Sequence, residues 1–150
     1  MNRIIGALIV GIGMATATMA AAETAERKVM EQARKDCSSF ENGVLTTTRK
    51  AIPKIDLTGD GVPDTIIDAH EFRCSSAASM YCGTGGCSLW VIVGDKSYAY
   101  LAKGWKVAEW ADLKVLLLEV HGSECGGTNL RKCVRAEVWS EGGFYSVSNP

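Results

Sequence analysis

Nine consecutive residues in this chain have the types and spacing to do chemistry: Asp56-Leu57-Thr58-Gly59-Asp60-Gly61-Val62-Pro63-Asp64. Asp56, Thr58, Asp60 and Asp64 take the first, third, fifth and ninth places of a loop, and Gly61 follows the central acid. A hard cation such as Ca²⁺ takes about six to eight oxygen ligands, so a short loop that serves one must curl its backbone and aim several oxygens at a common centre. Acids at alternate places supply those oxygens, glycine at the sixth place permits the positive φ of the sharp turn, and the residue after it offers a main-chain carbonyl. The expected ligands are therefore the side chains of Asp56, Thr58, Asp60 and Asp64 with the carbonyl of Val62. The competing reading is an ordinary acidic turn, because Asp and Gly dominate turns for backbone reasons of their own. Carboxylates this close repel one another unless a cation sits among them, which favours the metal.

The pattern is not that of an EF-hand, whose twelfth position carries a bidentate Glu, because Ile67 stands there. Asp-x-Thr-x-Asp-Gly-x-x-Asp between two strand-like runs instead resembles the calcium loops of FG-GAP and VCBS-type repeats of secreted and cell-surface proteins. That resemblance implies calcium ligation by the same five residues, with Thr58 where those repeats more often carry Asp or Asn. It covers only the loop, and no second copy follows, so a propeller of such repeats is not expected.

Other candidate chemistry is thinner. The two histidines, His70 and His121, lie near the ends of predicted strands, and His70 with Asp68 and His121 with Glu124 would make a hydrolytic or metal cluster if those strands were neighbours. The glycines of Cys82-Gly83-Thr84-Gly85-Gly86-Cys87 could present amides to an anion, but no P-loop lysine and no helix follow, so a disulfide-closed turn is the preferred reading. No Gly-x-Ser-x-Gly elbow, His-Glu-x-x-His or dinucleotide fingerprint occurs. Trp105 and Trp110 flank an exposed-looking stretch and are the candidate partner-binding residues.

The elements that would position this loop belong to an exported domain. Arg3, an apolar run from Ile4 to Met14 and the small residues Ala20-Ala21-Ala22 have the layout of a secretory signal peptide, residues 1–22, leaving one domain over residues 23–150. That remainder has no run apolar and long enough to cross a membrane. A formal charge of −1 with 22% charged residues excludes a basic nucleic-acid surface. The six cysteines, Cys37, Cys74, Cys82, Cys87, Cys125 and Cys133, are even in number and read as three disulfides. Their connectivity is open from sequence; nearest pairing gives Cys37–Cys74, Cys82–Cys87 and Cys125–Cys133.

Val29, Met30, Ala33, Cys37 and Phe40 recur at helical spacing and predict one amphipathic helix over residues 23–40. Short extended segments follow at 44–48 and 51–55, then a strand at 65–72 that makes a hairpin with the second segment around the acidic loop. Residues 88–93 are apolar on both alternations and predict a central strand, followed by a turn at 94–96 and further strands at 98–101 and 105–110. In the last hairpin, Leu116, Leu118 and Val120 are expected to share a buried face with Val134, Ala136 and Val138, leaving Glu119 and Arg135 as a cross-strand pair on the other face. A short edge strand at 144–147 completes the set.

The fold class is therefore α+β: an N-terminal helix on a mostly antiparallel sheet, stapled by disulfides. The expected function is a non-catalytic periplasmic or secreted binding domain, stabilised by a structural calcium ion and presenting loops to a protein or glycan partner. A periplasmic inhibitor or immunity protein against a cell-wall hydrolase is the alternative, and a histidine-dependent hydrolase a third reading. The signal peptide, single acidic loop and glycine-rich cysteine turn together resemble small exported proteins of Gram-negative bacteria, a resemblance that brings no activity with it.

Overall fold

The computed structural model describes residues 13–147; residues 1–12 of the expected signal peptide and residues 148–150 of the expected domain lie outside the described residues. Helix α1 spans Gly13–Ser39 and so begins before the expected start at residue 23 and runs through Ala20-Ala21-Ala22. Its later turns are built from strong helix formers, and Met30, Ala33 and Cys37 on one stripe are buried. It ends where Glu41 and Asn42 take left-handed φ values of 50° and 54° and Gly43 follows, a glycine whose added Cβ would collide with the Cys37 carbonyl.

Eleven strands follow, all in antiparallel pairings, so the described residues form one long helix and are mostly β. Strands β1 (Leu45–Thr47) and β4 (Phe72–Cys74) form a two-stranded ribbon. A second sheet runs β2 (Lys54–Ile55), β3 (Asp64–Asp68), β6 (Gly86–Val93), with β5 (Cys82–Gly83) and β7 (Lys96–Ala102) also paired to β6. A third is ordered β8 (Gly104–Trp110), β9 (Leu113–Val120), β10 (Cys133–Ser140), β11 (Gly143–Val147). One expected sheet is thus three, because Lys103 alone separates β7 from β8 and the chain turns there from the second sheet into the third.

The second and third sheets share a core of Ile66, Leu89, Val91, Leu116, Leu118 and Val120. On the opposite face of the second sheet, Ile67 and Ile92 join Met30 and Ala33 of α1. Alternate residues of β6 therefore enter different cores, as its two-faced apolar pattern predicts. Each fully buried aliphatic side chain here contributes about 1.5 to 3 kcal/mol of apolar burial.

Two expectations are corrected. The strand expected over 65–72 breaks after Asp68, whose carboxylate accepts the His70 amide at 2.9 Å and caps a 3₁₀ turn over Ala69–Glu71; Phe72 then starts β4. In the last hairpin, Leu116 faces Glu137, Leu118 faces Arg135, and Val134 faces Glu119. The inner face of β10 is therefore Cys133, Arg135, Glu137 and Trp139, while Val134, Ala136 and Val138 point outward, and no Glu119–Arg135 pair forms. A parity choice of one residue exchanges every side chain between faces. Inward placement puts Trp139 against Tyr98 and Phe144, with ring centroids 5.9 and 5.1 Å apart, and buries Cys133.

The three disulfides are Cys37–Cys74, Cys82–Cys87 and Cys125–Cys133. The second closes the β5–β6 turn, where Gly86 has φ 119° and its missing Cβ would overlap the Ala102 carbonyl, so glycine is required there. No helix among the described residues is long and apolar enough to cross a membrane.

Candidate functional site

The acidic loop connects β2 to β3 as a hairpin, with Ile55 opposite Asp64. Asp64 begins β3 and is only 6% exposed; its Oδ2 accepts the Leu57 amide at 2.8 Å, closing the loop at its base beside the buried Leu57 side chain. Burial pushes the Asp64 carboxyl up to about 6; amides of Leu57 and Thr58 work against that, and the charges of Asp60 and Asp56 add to it. The charges of Asp56 and Asp60 therefore reach the buried Asp64.

Asp56 organises the turn. Desolvation resists its ionisation, but amides of Gly59 and Gly61 and the Thr58 hydroxyl overcome this and hold its carboxyl below the usual range. Oδ1 accepts from Gly59 at 2.7 Å and Oδ2 from Gly61 at 3.0 Å. Asp60 Oδ1 accepts the Val62 amide at 2.7 Å. Gly59 and Gly61 have φ of 78° and 83° with open space where a Cβ would stand, so glycine serves the backbone conformation and not close packing. Thr58, just before Gly59, turns its hydroxyl toward Asp56 at 3.3 Å. Among the described residues, no three His, Cys, Asp or Glu side chains are gathered in a ready-made metal cage; the loop's carboxylates are engaged with its own amides.

The buried Asp64 makes a prediction of its own. Its folded-state pKa lies above the ordinary 3.8, so the native state holds the proton more tightly and stability falls as pH rises from about 4 to about 6. Asp64→Asn keeps an acceptor for the Leu57 amide and removes the charge. In cation-free buffer it is expected to raise stability by about 1 to 2 kcal/mol at neutral pH, after allowance for solvent screening, and to flatten that pH dependence. Denaturant unfolding of both proteins at about pH 4 and about pH 8 checks this; equal pH slopes would contradict it.

The histidines serve local turns. His70 Nδ1 lies 2.9 Å from Asp68 Oδ1, and Asp68 Oδ2 accepts the Trp105 indole N–H at 2.8 Å. Trp105 is thus half-buried and ties β8 to β3 across the sheets, a link between residues distant in sequence that no local pattern signals. His121 Nδ1 accepts the Ser123 amide at 3.2 Å and caps the 3₁₀ turn over Gly122–Cys125, while Glu124 pairs with Arg135 at 3.0 Å. Neither histidine joins a group of three metal-ligating side chains among the described residues. Trp110, at the far end of β8, is 77% exposed.

A groove of about 570 Å³ runs beside α1, with Val29, Ala33, Met80, Tyr81 and Trp90 as apolar lining and Lys28, Gln32, Asp36 and Ser88 as polar groups. It depends on where the helix lies across the sheet, a relation no short pattern encodes, and Trp90 is a lining residue although its strand reads as core. In comparisons with known proteins, no family model, no curated protein and no solved structure matches this chain.

Proposed function

We propose that this chain is a non-catalytic, exported binding domain whose acidic loop takes a structural calcium ion through Asp56, Thr58, Asp60, Val62 and Asp64. The observation that carries the reading is the electrostatic crowding at the loop: Asp64 is buried, and the charges of Asp56 and Asp60 act on it. A divalent cation cancels that repulsion and turns a destabilising cluster into a stabilising one. Left-handed glycines at positions 59 and 61 give the backbone the sharp curl a cation loop uses. Binding needs the Asp60 and Asp56 oxygens to exchange loop amides for the ion, a local change in an exposed turn.

Three disulfides support an oxidising, periplasmic or secreted setting, and the arginine-led apolar start supports removal of residues 1–22 as a signal peptide. His70 held against the Asp68 carboxylate and His121 capping its own turn support a role without catalysis. The groove beside α1, apolar with a few polar groups, supports recognition of a protein or glycan partner.

Calcium at about 1 mM, against a dissociation constant of about 0.1 mM, is expected to stabilise the protein by about 1.4 kcal/mol. Thermal unfolding with calcium and then with excess chelator measures the gain and its reversal. Asp60→Ala removes an exposed ligand and should abolish the shift; a shift of full size in that variant assigns the ion elsewhere.

A further inference from the structure

Strand β9 reads Leu113-Lys114-Val115-Leu116-Leu117-Leu118-Glu119-Val120, apolar on both alternations over most of its length. Such a run belongs to a strand covered on both faces. β6 has the same character and is covered twice, by the third sheet on one side and by α1 on the other. β9 is covered once: Leu116, Leu118 and Val120 enter the core, while Val115 and Leu117 point away from it. Register extends this outer side into a broad apolar face, since Trp110 stands opposite Leu113 and Tyr145 opposite Val138. Trp110, Leu113, Val134 and Tyr145 are 77%, 51%, 58% and 54% exposed, four of the eight large apolar side chains left exposed among the described residues. Patches of this kind mark interaction surfaces.

We propose that the outer face of the β8–β11 sheet is the interface of a two-fold homodimer. Charge selects a second copy as the occupant. Along the four strands the outward positions carry one basic and one acidic residue, Lys106 and Glu119, near the same end of the face. Their charges cancel, so the face has no counter-charge to offer a nucleic acid, an anionic membrane or a strongly charged protein. A copy of itself is complementary. Lys106 stands opposite Leu117, two residue pairs from the level of Glu119 on the neighbouring strand, so the two lie diagonally on the same face. A two-fold axis lying in the face, oblique to the strands and passing midway between these two residues, sets Lys106 of each copy against Glu119 of the other and stacks the apolar middles sheet on sheet. Each contact is then made twice, as a self-complementary patch requires, and face-to-face sheets interdigitate at about 10 Å. The inference stands whether or not the loop binds calcium.

Sedimentation equilibrium of the purified protein over a wide concentration range tests it. The wild type is expected to be a dimer. Leu117→Lys places a charge at the centre of the face and should leave a monomer, while Leu130→Lys, 96% exposed on the loop between β9 and β10, should leave the dimer intact. Lys106→Glu and Glu119→Lys alone should each weaken association at least about tenfold, and together restore it. Lys106 is exposed, so its reversal does not threaten folding; circular dichroism verifies this for each variant. A wild type that stays monomeric throughout, or a dimer indifferent to both Leu117→Lys and Lys106→Glu, overturns the proposal.

Discussion

Replacing Arg135 by methionine is expected to lower the unfolding free energy by about 3 to 5 kcal/mol at neutral pH, one of the largest effects of any single substitution in this chain. Arg135 and Glu137 lie on the inner side of β10, and Glu137 is only 4% exposed. Burial pushes the Glu137 carboxyl above its ordinary 4.5, and Arg135 beside it opposes that rise. Arg135 Nε lies 2.8 Å from Glu137 Oε1 with its N–H off the line between them, so charge and not an aligned hydrogen bond carries the contact. The guanidinium also reaches Glu124 at 3.0 Å and lies 5.4 Å from the centre of the Tyr100 ring. Burial, with the Glu137 charge adding to it, holds the Tyr100 hydroxyl neutral well above its ordinary range.

Without the guanidinium, Glu137 must either stay charged among Leu116, Leu118 and Tyr100 or take a proton. The folded pKa then rises further, and stability falls as pH climbs from about 4.5 through the raised value. The loss in Arg135→Met should therefore shrink at acid pH. Pairing it with Glu137→Gln removes the orphaned charge and should recover most of the loss, because a buried ion pair is worth little net while one member alone is costly. Denaturant unfolding of the two single variants and the double variant at two pH values measures this; a double variant as unstable as Arg135→Met alone would place the cost in packing instead of charge.

That pair also marks where the sequence stops being legible. Both strands of the last hairpin were visible as alternating runs, but Val134, Ala136 and Val138 are more apolar than Arg135 and Glu137, so hydropathy points the wrong side inward. The one opposing signal is Cys133, which shares the parity of those charges and belongs to a residue type most often buried, but Val and Ala are in the same class, so composition alone does not decide the face. The acidic loop was legible because all its candidate ligands lie within nine residues and the register of β2 with β3 follows from the turn between them. Asp68 was not, since the indole that shares its carboxylate comes from β8, and neither partner's neighbours reveal the other. Nearest pairing of the cysteines holds because the chain meanders through antiparallel neighbours, keeping residues close in sequence close in space.

Loss of the Cys37–Cys74 bridge, through Cys37→Ala with Cys74→Ala, should cost about 4 kcal/mol, against about 2.5 for Cys125–Cys133 and about 2 for Cys82–Cys87. The order follows from sequence separations of 37, 8 and 5 residues: the longer the closed loop, the more freedom its opening returns to the unfolded chain. The first bridge has a second task. It fastens the end of α1 to β4, and only three residues of each strand hold the β1–β4 ribbon. Gly43 packs against the bridge so closely that an added Cβ would lie 2.7 Å from Cys74 Sγ, so ribbon, bridge and helix end form one unit. Met30 and Ala33 still bind the middle of the helix to Ile67 and Ile92 when the bridge is gone. Hydrogen exchange on the variant should therefore show the last helical turn and β1–β4 opening first, with β6 and β9 protected until global unfolding. If removing the short Cys82–Cys87 bridge proves costlier than removing the long one, chain entropy is not what these disulfides chiefly supply, and the Gly86 turn they close near Ala102 becomes the place to look.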